Sequence, residues 1–160
     1  MTDQVLWRIG TDTPDYTAED PSGKGAEATG GRWNHKGTAL LYTSASAALA
    51  CLETLVHLNA GGLPLNRYLV QIRVPGSIWA KRTEFDKSVC VGWDAIPAGK
   101  VSIAWGTGWA KSLVSLCAVV PSVIVPDENN VLINPRHADA TKLTITKVSK
   151  WTYDARLSKR

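Results

Sequence analysis

Residues 67 to 75, RYLVQIRVP, place Tyr68, Val70, Ile72 and Val74 at alternate positions. Successive side chains of a strand point to opposite faces, so this stretch is stable only as a half-buried strand in a sheet whose apolar face is covered. The rest of the chain must supply more strands and something to lie on them. VLWRI, TALLYT, SLCAVVPS, VIVP, NVLINP and LTITKVSKW read as further strands. A helix is predicted over SASAALACLETLVHLN, beginning near Ser44 and stopped by Gly61 and Gly62. Another is predicted from Val101 to Ser112, against the low helix propensity of the GTG inside it. Short strands and helices in this mixture specify an α+β fold, a single compact domain with mixed or antiparallel sheets.

No linker, repeat or low-complexity tract divides the 160 residues, so one domain spans 1–160, with a basic tail from about residue 155. The formal charge is +4, part of it in the terminal ARLSKR, and the other basic residues are dispersed. Nucleic acid demands a concentrated basic face, so direct nucleic-acid binding is disfavoured. No apolar run reaches bilayer length and the N-terminus has no leader pattern, which points to a soluble, cytoplasmic protein without membrane contact. Cys51, Cys90 and Cys117 are odd in number and far apart in sequence, and are expected to be buried free thiols. Most of the seven tryptophans are expected in the core.

Residues 10 to 31 are polar and too long for a simple turn, which marks a functional loop. The segment that follows, GGRWNHKGTALLYTSASAALACLE, concentrates three residues of chemical interest. Leu49, Leu52, Glu53 and Val56 fall at helical spacing, which sets Glu53 on an apolar stripe. A carboxylate there needs a partner, either a structural arginine or a polar ligand. Arg32 follows two glycines that let backbone approach a ligand, and its fork matches phosphate; a surface arginine beside a turn is the other reading. Tyr42 is either a core aromatic or a ring on which a planar heterocycle stacks. Ser122 and Asn134 lie at the edges of apolar runs beside prolines, as turn residues or as groups turned into a cleft. There is no Gly-x-Ser-x-Gly elbow, no Rossmann fingerprint and no P-loop, because GTGWAKS lacks the spacing. His35, His57 and His137 form no metal-ligand pattern, and no metal is expected.

Taken in order, WRI, GGRWNHKGTALLYTSASAALACLE and PSVIVPDENNVLINPRH resemble the RES-domain family, the toxins of bacterial RES-Xre toxin–antitoxin pairs, from Trp7 to His137. The resemblance implies a fold related to ADP-ribosyltransferases, an NAD-consuming activity and a cognate Xre-type antitoxin with a helix-turn-helix domain. NAD would be a consumed substrate, with no further cofactor. The family's arginine, tyrosine and glutamate map onto Arg32, Tyr42 and Glu53, and further pocket positions map onto Arg8, Ser122 and Asn134. On this mapping Glu53 would stabilise positive charge on the ribose as nicotinamide departs, Arg32 and Arg8 would hold the pyrophosphate, and Tyr42 would pack against nicotinamide or its ribose. Water, phosphate or a protein side chain would be the acceptor. Transferases that modify arginine resemble a pattern with Glu or Gln two residues before the catalytic Glu, and Cys51 stands there. NAD degradation to free products therefore ranks first and protein ADP-ribosylation second. A non-enzymatic alternative is a tryptophan-rich module that stacks nucleotides or single-stranded nucleic acid.

Overall fold

The computed structural model describes residues 1–58 and 62–158. Asn59, the last residue of the predicted helix, Gly61, the first glycine of its predicted stop, and the tail residues Lys159 and Arg160 lie outside the described residues. Seven strands form one sheet: β1 (Gln4–Thr11), β2 (Leu41–Ser44), β3 (Arg67–Val74), β4 (Thr83–Glu84), β5 (Cys117–Pro121), β6 (Asn129–Ile133) and β7 (Thr144–Lys150). Their spatial order is β4-β5-β6-β2-β1-β3-β7. All neighbours are antiparallel except β4 and β5, so the sheet is mixed. The α-helices are α1 (Lys24–Thr29), α2 (Ala47–Leu55), α3 (Gly76–Trp79) and α4 (Lys100–Ser112). The fold is a single compact α+β domain.

Register decides which side chains meet, because residues directly opposite in a ladder share a face. Leu6 pairs with Ile72, Arg8 with Val70 and Leu41 with Ile133, which assigns all six to one face. Ala18, Ile78 and Leu116 complete that core. Val70, Ile72 and Val74 are fully buried, each contributing about 1.5–3 kcal/mol by leaving water. The other face carries Trp7, opposite Ser44, and Tyr42, opposite Leu132. α2 covers it with Ala50 and Leu55, packed with Ile9 and Tyr153. α4 covers it with Trp109 and Ala110, packed with Trp33 and Leu132.

Several elements differ from the sequence expectation. The α2 helix starts at Ala47, because Ser46 caps it by accepting the Leu49 N–H, while Ser44 ends β2. Its buried residues are Leu49, Ala50 and Leu55, whereas Leu52 and Val56 are exposed. The apolar stripe is rotated from the predicted one, and Glu53 lies at its edge, half-buried. VIVP is a turn instead of a strand: the Ser122 hydroxyl accepts the N–H groups of Ile124 and Val125, both at 3.1 Å. Inside the polar segment of residues 10–31 lie α1 and a turn in which Asp12 accepts the Ala18 N–H at 2.7 Å. The GTG in α4 has a packing reason, since a Cβ on Gly106 would run into the Trp33 carbonyl. Of the three free cysteines only Cys117 is buried. At the C-terminus, Ala155–Ser158 form a 3-10 turn whose Leu157 packs against the Ile9 cluster.

Candidate active site

Glu53, in the last turn of α2, reaches β5 and β6. Its Oε1 accepts two hydrogen bonds of 2.7 Å, one from the Ser122 hydroxyl and one from the Asn130 side-chain amide. Both donors are fixed in turn. Ser122 is fully buried, and two backbone N–H groups saturate the acceptor side of its oxygen, which leaves its proton for Glu53. Asn130 Oδ1 accepts from the Ser44 hydroxyl at 2.7 Å, which orients the amide toward the carboxylate. Glu53 therefore has one oxygen held by neutral donors, while no described residue hydrogen-bonds to Oε2. No arginine or lysine pairs with it among the described residues, so the structural ion pair weighed from sequence is not what holds it.

Tyr42 precedes Ser44 by two residues on the same face of β2, about 7 Å along the strand. Its hydroxyl donates to Asn34 Oδ1 at 2.6 Å and accepts the Trp33 N–H at 3.0 Å. Burial pushes the Tyr42 phenol well above its ordinary range, against smaller lowering by the Trp33 N–H and the nearby Arg32 charge. It stays protonated through physiological pH. Arg32, half-buried, uses only Nη1, which donates to the carbonyls of Trp93 at 3.1 Å and Ala95 at 2.8 Å. Nε and Nη2 have no partner among the described residues, so part of the fork remains for an anion.

Two of the residues singled out from sequence lie elsewhere. Arg8 is on the opposite face of the sheet, lined by Ala18, Leu41, Val70 and Ile72. Burial pushes its pKa down, opposed by Tyr16 and Asp20, and its Nε is buried without a partner among the described residues. Alternation explains the placement: Trp7 faces Ser44, so Arg8 cannot. Asn134 shares a face with Asn130 but lies four residues further along β6, past its end. It is buried, donates to the Ala110 carbonyl at 2.8 Å and accepts the Arg136 N–H at 3.1 Å, tying α4 to the sheet. The structure thus joins Glu53 to Ser122, adds Asn130 and Ser44 to that network, and sets Tyr42, with Arg32 near it, two residues before Ser44 on the same face. The sequence signal for Asn130 is parity within NVLIN, where Asn130, Leu132 and Asn134 share a face.

A sequence model of the family described as RES domain matches residues 5–156. A Sphingobium sp. (strain YBL2) protein named Prs ADP-ribosylating toxin is 55% identical over 156 residues, which cover 97% of each chain. Toxin Res of Yersinia enterocolitica is 40% identical over 143 residues, covering 89% of this chain and 93% of its own. Toxin Res of Pseudomonas putida is 32% identical over 155 residues, covering 96% and 99% respectively.

Proposed function

The chain belongs to the RES-domain family, and from that premise we propose that it is a bacterial toxin that cleaves the nicotinamide–ribose bond of NAD and transfers ADP-ribose to an acceptor. The observation that carries this reading is the half-open Glu53 carboxylate, one oxygen pinned by Ser122 and Asn130 and the other without a hydrogen-bond partner among the described residues. The C–N bond breaks with its electron pair leaving on nicotinamide, positive charge develops on the ribose, and the acceptor's lone pair then forms the new bond as its proton is lost. A fixed carboxylate lowers the energy of that cationic state, and its free oxygen is available to a ribose hydroxyl. Arg32 offers Nε and Nη2 to the pyrophosphate, and Tyr42 offers its ring. Arg8 and Asn134 act through the fold on this reading, since neither reaches the Glu53 network.

The name of the Sphingobium relative favours a protein acceptor, the one named Prs, and reverses the order expected from sequence. NAD degradation with water or phosphate as acceptor is the second reading. It is favoured by Cys51, which stands where arginine-modifying transferases carry an acid and packs with the apolar cluster of Ile9 and Leu55. Purified protein incubated with labelled NAD decides between them: nicotinamide release requiring Prs, with label on Prs, supports transfer. Release without a protein acceptor supports degradation. No release under either condition overturns the NAD reading. The proposed partner is an Xre-type helix-turn-helix antitoxin, whose co-expression restores growth and whose binding weakens when an NAD analogue is present.

A further inference from the structure

Arg32 stands between Gly31 and Trp33, and both neighbours are tied to one buried residue, Asn34, which is 1% exposed: Gly31 through the Asn34 backbone, and Trp33 through the Tyr42 hydroxyl that the Asn34 side chain holds. The two protons of Asn34 Nδ2 are shared among the carbonyls of Ala26 at 2.8 Å, His35 at 3.1 Å and Thr38 at 3.0 Å. Its Oδ1 accepts the Tyr42 hydroxyl proton, and the Tyr42 oxygen accepts the N–H of Trp33. The backbones of Gly31 and Asn34 exchange hydrogen bonds of 3.1 and 3.4 Å. A Cβ on Gly31 would come within 2.7 Å of the Tyr42 hydroxyl, so that position takes only glycine without displacing the tyrosine. From the other side, Thr107 of α4 accepts the His35 N–H at 3.0 Å. A buried loop asparagine ordinarily satisfies backbone carbonyls and nothing more. Here the side chain also takes up the hydroxyl of Tyr42, which holds Trp33 on one flank of Arg32, while the Asn34 backbone holds Gly31 on the other.

Resting on the NAD reading above, we propose that Asn34 is a positioning residue: it fixes the backbone on both sides of Arg32 and the hydroxyl of Tyr42, so that guanidinium and phenol ring meet the substrate in one arrangement. Tyr42 then acts through its ring, because both its donor and acceptor capacities are engaged within the fold. Only an amide of this length serves, since aspartate cannot donate to these carbonyls and alanine removes both those donations and the acceptor of the Tyr42 proton.

Asn34→Ala and Thr107→Val, made separately, test this by steady-state kinetics with NAD, with Thr107→Val as the variant that keeps the test open if Asn34→Ala does not fold. Each is expected to raise KM about tenfold while kcat stays within about threefold, the pattern of a displaced binding group. In an Arg32→Ala background the same substitutions should change KM by clearly less than they do alone, because the part of their action that runs through Arg32 is already gone. Full additivity in that background, or a fall in kcat at constant KM, overturns the proposal. The ligand-free protein supplies an independent arm: the Arg32 Nε–H resonance should be single and sharp in the parent and shifted or broadened in both variants. An unchanged resonance overturns the proposal. Absence of nicotinamide release from the parent defeats the NAD reading instead, and the resonance then decides the positioning role alone.

Discussion

On the face of the sheet beneath residues 12–23, Arg8 is half-buried among Ala18, Leu41, Val70 and Ile72, with Asp20 nearby to offset its charge. On the opposite face Glu53 is half-open, with two neutral donors on one oxygen and, among the described residues, none on the other. The Arg8 charge lies against apolar side chains on the far side of the sheet from the Glu53 network. The half-open one is fixed in place and still able to meet a cation that comes and goes. A charge suited to chemistry therefore needs a held side and an open side, and uncharged donors are the means of holding it without neutralising it.

The contrast is most severely tested at Glu53. Glu53→Gln keeps a carbonyl oxygen for Ser122 and Asn130, so the fold should persist while turnover falls by about two orders of magnitude, equivalent to about 2.7 kcal/mol. A melting temperature near that of the parent together with lost nicotinamide release is the expected pair of results; unfolding would make Glu53 structural. The two asparagines of β6 come next. Asn130→Ala should lower turnover about tenfold with little loss of stability, whereas Asn134→Ala should destabilise by about 1–3 kcal/mol in a denaturant titration and leave turnover per folded molecule unchanged. If the two phenotypes are exchanged, the site extends further along β6 than its hydrogen bonds indicate.

Alkaline pH sharpens the comparison on the enclosed face. Burial lifts the Cys117 thiol from 9.0 up to about 12. The folded protein keeps that proton where the unfolded chain has lost it, so stability is complete below pH 9 and falls toward pH 12, by about 1.4 kcal/mol per pH unit. Tyr42, also raised, contributes the same sign above its ordinary value. Cys117→Ala should flatten the decline of melting temperature between pH 9 and pH 10, and an unaltered slope would dismiss the thiol as its source. The smallest effect is expected from Arg8→Met, which replaces a half-buried cation by an apolar chain. Stability should change by no more than about 1 kcal/mol and NAD affinity by less than about twofold. A large loss of affinity would bring Arg8 back into the site.

The framework of the fold was legible where one periodicity dominated. Tyr68, Val70, Ile72 and Val74 announce β3 and its covered face, and α4 follows its predicted span because Gly106 is required by the Trp33 carbonyl. Local hydrogen bonding hid the rest. VIVP has strand composition, but a single hydroxyl, that of Ser122, captures two of its N–H groups and bends it. Glu53 drew notice on a stripe that is rotated in the molecule, since Leu52 and Val56 are exposed. Arg8 and Asn134 have suitable side chains in unsuitable places. Which face a strand residue takes follows from its ladder partner, and no single strand reports that partner.

Glu53 lies two residues before the end of α2, where the peptide dipoles of the helix converge with their negative ends. A carboxylate at that terminus is repelled by the helix it belongs to, at a cost of about 0.3–1 kcal/mol. The repulsion is relieved when positive charge arrives beside the carboxylate. Backbone and side chain therefore create a negative potential together, which acts before any contact forms. Molecules carrying a permanent positive charge at the position of the sugar should for this reason be retained better than neutral ones of equal shape, and salt should weaken that preference.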